Sequence, residues 1–194
     1  MKKSFVMLLF FAAAQTLFAL SDVQGFVGAL FFHQTYSYEQ NDYLQSGKTV
    51  FSAGIMNHIF LWDENRIGFF ESLSYEKRDD AALTLLTGPS FNLALTDTFS
   101  LIVSPAVNAS CAFKGDSTEF SEERGTALLF CFGGGTDLQI KALAHTHFSP
   151  VVGISAAFNP LYYCTVKIDD WYYATLENFA HFYVRPYAAF SYNW

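Results

Sequence analysis

The chain has 194 residues, 52% of them hydrophobic and 19% aromatic, with only 15% charged and a formal net charge of −7. That length fits one domain, the apolar content excludes a disordered chain, and an acidic balance without a basic patch disfavours nucleic acid as a partner. Soluble domains carry about 25% charged residues, so the shortage raises the question of what covers so much apolar surface.

Lys2 and Lys3 precede an apolar stretch from Phe5 to Ala14 that continues through Gln15 and Thr16 to Ala19. A basic head, an apolar middle and small residues near position 20 predict a cleaved signal peptide over 1–19. The remainder, 20–194, is then one exported domain. The stretch is short for a spanning helix, which needs about 20 apolar residues. No Cys lies near the cut, which argues against a lipid anchor. Without Lys2 and Lys3 the balance is 11 − 2 = 9 basic against 18 acidic residues, or −9. The exported part holds Cys111, Cys131 and Cys164, an odd number that cannot pair completely within the chain.

Beyond the leader no run of 18 uncharged apolar residues occurs, and the pattern becomes one of period two, the signature of strands. Eight strands are predicted, near 23–33, 49–61, 66–75, 83–95, 99–113, 127–140, 147–158 and 179–194. The clearest runs from Phe99 to Lys114. Its odd positions carry Phe99, Leu101, Val103, Val107 and Phe113, and its even positions carry Ser100, Ser104, Asn108 and Ser110. The connections alternate. Those after strands two, four and six are short ("WDEN", "TDT", "KALAHT"), whereas those after strands one, three, five and seven are longer and polar.

Short turns at one end and long loops at the other predict an all-β, eight-stranded antiparallel up-and-down barrel. A soluble barrel hides its apolar face inside, whereas a transmembrane barrel turns it outward to lipid and keeps a polar interior. The strands exceed the soluble mode of about 5–6 residues, and small hydroxyl residues suit the cramped interior of eight strands. The predicted fold is therefore a transmembrane β-barrel. Pro89, Pro105, Pro150 and Pro186 fall inside proposed strands and each removes a ladder donor, so bulges are expected there.

Inward parity places Asp137 and Gln139 in strand six and Arg185 in strand eight. Glu71 shares the parity of Phe69 and Leu73, so either it points inward and joins this lumen network or a bulge resets the face. Enclosed opposite charges should pair. Such a network either gates a narrow pore or plugs it, and eight strands favour the plug. His145 and His147 form H-x-H in a turn, where two ligands are too few for a structural metal site. His33, His58 and His181 are dispersed. "FGGGTD" at 132–137 lacks the Lys and the helix of a phosphate loop, so its glycines are read as room for curvature. Cys111 and Cys131 fall on opposite faces, which argues against a disulfide. The loops at 115–125 and 167–178 are acidic, and Trp171, Tyr172 and Tyr173 in the second are candidates for ligand binding or for a rim anchored in headgroups.

The ending Phe190-Ser191-Tyr192-Asn193-Trp194, together with the leader, the amphipathic strands and the alternating loops, resembles the small bacterial outer-membrane β-barrels of the OmpX, OmpA membrane domain and OmpW type. That resemblance implies an outer-membrane location, with Phe190, Tyr192 and Trp194 forming an interfacial girdle and a signal read by the barrel-assembly machinery. Trp is a less common last residue than Phe. The expected partners are outer-membrane lipid, the assembly machinery and an extracellular ligand or host surface met by the loops, with no cofactor, metal or catalytic residue. A structural or surface-interaction role is expected first. A narrow channel for small or hydrophobic molecules comes second. A lipid-modifying enzyme comes third, since no His/Ser arrangement matches the enzymes of this class.

Overall fold

A computed structural model describes residues 22–38, 41–62, 66–77, 81–114, 125–144, 146–168, 171–175 and 179–193. The strands are β1 (Asp22–Tyr38), β2 (Asn41–Trp62), β3 (Ile67–Lys77), β4 (Ala81–Ala94), β5 (Phe99–Lys114), β6 (Gly125–Ala142), β7 (Phe148–Ile168), β8 (Trp171–Thr175) and β9 (Phe179–Asn193). Each neighbour in the meander pairs antiparallel. The sheet closes because β9 pairs with β1 and β6 pairs with β7. The barrel has eight wall positions. β8 pairs only with the far end of β7, from Cys164↔Thr175 to Ile168↔Trp171, while β9 takes the rest from Asn159↔His181 to Phe148↔Tyr192. β8 and β9 are thus successive pieces of the eighth wall strand. The predicted signal peptide at 1–19 lies outside the described residues.

Alternation builds the wall. Along β3 the residues switch regularly between exposed or half-exposed and buried. Phe70, Ser72, Ser74 and Glu76 turn inward, while Ile67, Phe69 and Tyr75 turn outward. In β5, Ser100, Ser104 and Asn108 are buried inside, whereas Val107 is exposed and Leu101 and Val103 are half-exposed. Phe51, Phe132, Phe148, Val152 and Phe190 continue the outer apolar band around the barrel. A surface of that extent would aggregate in water. Only hydrocarbon accommodates it, and the closed ladder leaves no strand edge in the bilayer. The chain is a transmembrane barrel.

Two stretches expected as loops are strand. β1 and β2 remain paired out to Tyr38↔Asn41, so the segment expected as a loop from Gln34 to Lys48 is a hairpin extension. β7 continues to Ile168, followed by β8. β2 pairs with β3 only from Ser52 onward, so its first half stands beyond the end of β3. A hairpin there is not required to show one face to lipid, and the period-two signal that marks the other strands is lost.

Pro89, Pro105 and Pro186 fall at gaps on one side of their strands, and Pro150 lies just past the end of the β6–β7 ladder. Pairing of β4 with β5 runs to Thr87↔Val107 and resumes in the same register at Phe91↔Val103, so Pro89 and Pro105 face each other and share one gap. Gly88 completes it, since a Cβ there would run into the Pro105 carbonyl oxygen. Pro186 lies in a gap between Gly28↔Tyr187 and Phe31↔Val184. Pro150 precedes Val151, the last residue of β7 on the ladder with β6. Proline cannot donate to a ladder, and the gaps at Pro89, Pro105 and Pro186 are where such a donor is missing.

The short turns at the other end are hydrogen-bonded. Thr96 Oγ1 accepts from the amides of Thr98 (3.2 Å) and Phe99 (3.0 Å). Between β6 and β7, Leu143 adopts φ 53°, and its carbonyl accepts from the Thr146 amide (2.9 Å), the Thr146 hydroxyl (2.8 Å) and Ser149 Oγ (3.0 Å).

Candidate functional site: the cross-braced lumen

The long wall strands send alternate residues toward one axis, and the polar ones meet there. At the short-turn end Lys141 of β6 forms an ion pair with Asp22 of β1 at 2.8 Å and donates to Asn193 Oδ1 of β9 at 2.5 Å. Ser191 donates to the other Asp22 oxygen at 2.5 Å. Asn193 also donates to the Thr146 carbonyl at 2.5 Å, fastening the end of the last strand to the β6–β7 turn. One layer deeper, Gln24 donates to Gln139 at 2.9 Å, and Gln139 donates to Asp137 at 2.8 Å and to the Met56 sulfur at 3.4 Å.

Asp137 is held by neutral donors. Besides Gln139, it accepts from Ser155 Oγ at 2.7 Å and from the Tyr187 hydroxyl at 3.0 and 2.9 Å on its two oxygens. Ser155 in turn accepts from Arg185 Nη2 at 3.2 Å, so one hydroxyl joins the carboxylate to the guanidinium. Arg185 is 0% exposed. Its Nη1 donates to Ser74 at 2.5 Å and to Ser52 at 3.4 Å, lies 3.9 Å from Glu76, and its guanidinium sits 4.7 Å over the Phe26 ring. A buried cation without partners would cost several kcal/mol. Here hydroxyls from three strands, a carboxylate and an aromatic face offset that cost together.

Beyond Arg185 the bracing continues toward the loop end. Tyr183 donates to Asn108 at 3.0 Å, Asn108 donates to Asn159 at 2.6 Å, and Asn159 lies 2.9 Å from His181 Nδ1. Apolar side chains fill the space between the polar contacts. Phe26, Met56, Phe70, Leu86, Val151 and Tyr187 form one cluster, and Leu30, Phe32, Ala157 and Tyr183 form another. Tyr187 fits because Gly153 lies beneath its ring, where a Cβ would clash with Cζ and the hydroxyl. The network can hold eight strands in register. No cluster able to hold a metal occurs among the described residues.

Asp137, Gln139 and Arg185 therefore share one connected network. Glu71 does not join it. The β3–β4 register runs unbroken from Ile67↔Phe91 to Lys77↔Ala81, so no bulge resets the face, and Glu71 stays half-buried on the outer wall. The β3 carboxylate inside is Glu76, on the opposite parity. Asp22, Lys141 and Tyr187 were not singled out from sequence. Lys141 shares the parity of Asp137, and Tyr187 that of Arg185, so both were open to the same argument.

The remaining candidates separate. Phe190 stands 72% exposed on the outer wall. Tyr192 packs 4.9 Å from Phe148 and stacks on His147, as a rim aromatic would. Trp194 and His145 lie outside the described residues, as do 115–124. Trp171, Tyr172 and Tyr173 lie in strand β8, not in a loop, and their side chains are outside the described residues. Cys111 and Cys131 are free and sit on opposite faces of the β5–β6 ladder.

The fold has solved counterparts. Neisserial surface protein A superposes with a TM-score of 0.53 at 11% identity, covering 88% of this chain and 97% of that one. The chain has the small outer-membrane β-barrel fold. The attachment invasion locus protein Ail of Yersinia pestis aligns at 12% identity and a TM-score of 0.46, covering 89% of this chain and 99% of that one. No family model and no curated protein matches the barrel's sequence.

Proposed function

We propose that this barrel is a non-conducting scaffold of the bacterial outer membrane, whose business is at the surface and not in its lumen. The observation that carries this reading is the centre of the barrel, where Arg185 is fully buried between two apolar clusters and tied to Ser52, Ser74 and Ser155. Eight strands leave an interior just wide enough for side chains to fill. Recognition then belongs to the loop end, with the β1–β2 extension, Trp171, Tyr172 and Tyr173 of β8, and the 115–125 segment that joins β5 to β6. An extracellular ligand or host surface would be met there. Lipid contacts the outer band, and the terminal Phe190–Trp194 segment would be read by the assembly machinery. Neisserial surface protein A, a surface protein by name, supports the same placement.

Planar-bilayer recording tests the plug. The wild-type barrel should give no unit openings, and reproducible single-channel events would replace this reading with a narrow channel. Location is tested separately by fractionation. The protein should remain with outer membranes through carbonate and migrate differently folded and boiled; release by salt alone would overturn the assignment.

A further inference from the structure

The outer wall carries a hollow where the first strand meets the last. Gly25, Ala53 and Ala188 form its floor, and Val27 and Phe190 stand 54% and 72% exposed at its sides. Its volume is about 400 Å³ and its lining is apolar. Gly25 pairs with Phe190 of β9 and Ile55 of β2, and Val27 pairs with Ala188 and Ala53. The hollow therefore crosses the seam at which the barrel closes.

The fold itself does not account for Gly25. A Cβ there would meet no atom within 4 Å, and its backbone lies outside the left-handed region. At Gly28, Gly54 and Gly68 a Cβ would collide with a backbone oxygen, so close packing explains those positions. Gly134 is open like Gly25, but the β6–β7 register shifts beside it. Pairing on both sides of Gly25 is unbroken. A glycine inside a regular strand weakens it, and here the missing side chain leaves room on the lipid side of the wall.

Gly25 lies three residues in from Asp22, about 10 Å along the strand and about 7–8 Å deep at a barrel tilt of about 35–45°. Val27 lies about 12–14 Å deep by the same geometry. The hollow thus occupies the half of the apolar band next to the short turns, continuous with the wall that hydrocarbon covers. It offers no charged or hydrogen-bonding side chain, so neither a headgroup nor a polar peptide suits it. Beyond Phe190 on the same face, Tyr192 stacks on exposed His147 at the rim, the level of the headgroups.

We infer that the hollow is a binding groove for one acyl chain of a phospholipid in the leaflet on the short-turn side. Val27 and Phe190 flank the chain, and the small residues let it lie against the backbone of three strands. Within a bilayer apolarity alone gives no preference for protein over lipid, so close van der Waals packing is what holds it.

Photo-crosslinking tests this on the intact barrel in phosphatidylethanolamine vesicles doped with a phospholipid that carries a mid-chain diazirine. Heat-modifiable migration confirms that each variant is folded. Relative to exposure, Val27 and Phe190 should be labelled about fivefold more than Leu138, which faces lipid on β6. Gly25→Leu, whose side chain enters the open space, should bring both down to the level of Leu138, whereas Gly134→Leu should leave them unchanged. Even labelling around the wall would overturn the inference, as would an excess that survives Gly25→Leu. A second barrel covering the groove would leave Val27 and Phe190 labelled less than Leu138, and that result also counts against it.

Discussion

The Tyr187 hydroxyl reaches both oxygens of Asp137, at 3.0 and 2.9 Å, and so ties β9 to β6 across the lumen. No strand ladder joins these two elements directly, because β7 lies between them. Cross-bracing of this kind stiffens the barrel in ways that wall hydrogen bonds do not.

Tyr187→Phe removes that donor and leaves Asp137 with Ser155 and Gln139. Hydrogen bonds to charged groups contribute about 1.5–3 kcal/mol. Urea unfolding of the refolded barrel should show a loss of that size. A change below about 0.5 kcal/mol would mean that the contact carries little energy.

Gly153→Ala should act on the same bond indirectly. The added methyl would occupy the space of the Tyr187 ring, and overpacking of this kind costs about 1–3 kcal/mol. Combined with Tyr187→Phe, the two losses should be less than additive, because both break one contact. Full additivity would show that Gly153 acts elsewhere.

Arg185→Ala strips the central cation and leaves Glu76 buried beside it. Removing one partner of a buried pair costs about 3–5 kcal/mol. Glu76→Gln in the same chain should recover part of that loss. If the shortened side chain also opens a continuous aqueous path, planar-bilayer recording of the variant will show openings absent from wild type.

Lys141 and Asp22 pair at 2.8 Å near the closure between the first and last strands. A double-mutant cycle of Lys141→Met and Asp22→Asn should give a coupling of about 0.5–3 kcal/mol. Because both side chains are nearly buried, salt should screen it only weakly. A coupling near zero would assign the closure to the ladder alone.

Cysteine chemistry checks the facing of the wall. Cys111 is half-buried on the lipid side and Cys131 is buried on the lumen side. In a Cys164→Ser background a lipid-soluble maleimide should label Cys111 in the folded barrel, and Cys131 only after unfolding. The reverse order would invert the wall.

Parity along single strands was enough to determine the outward greasy face, the strand class, and the inward placement of Asp137, Gln139 and Arg185, because in a strand each residue's side follows from its neighbours two away. Parity could not decide Glu71. An unfavourable carboxylate on the outer wall and a hidden bulge look identical along one strand, and only the unbroken β3–β4 register separates them. Nor could it foresee that Pro89 and Pro105 share a gap, since that depends on which residues stand opposite. The extended β1–β2 and β7–β8 hairpins escaped for a related reason: their alternation fades where lipid no longer selects one face. Partners across the lumen, such as Tyr187 with Asp137 or Lys141 with Asp22, belong to closure itself. Sidedness is a local property of the chain, while contact across a barrel exists only once the last strand has met the first.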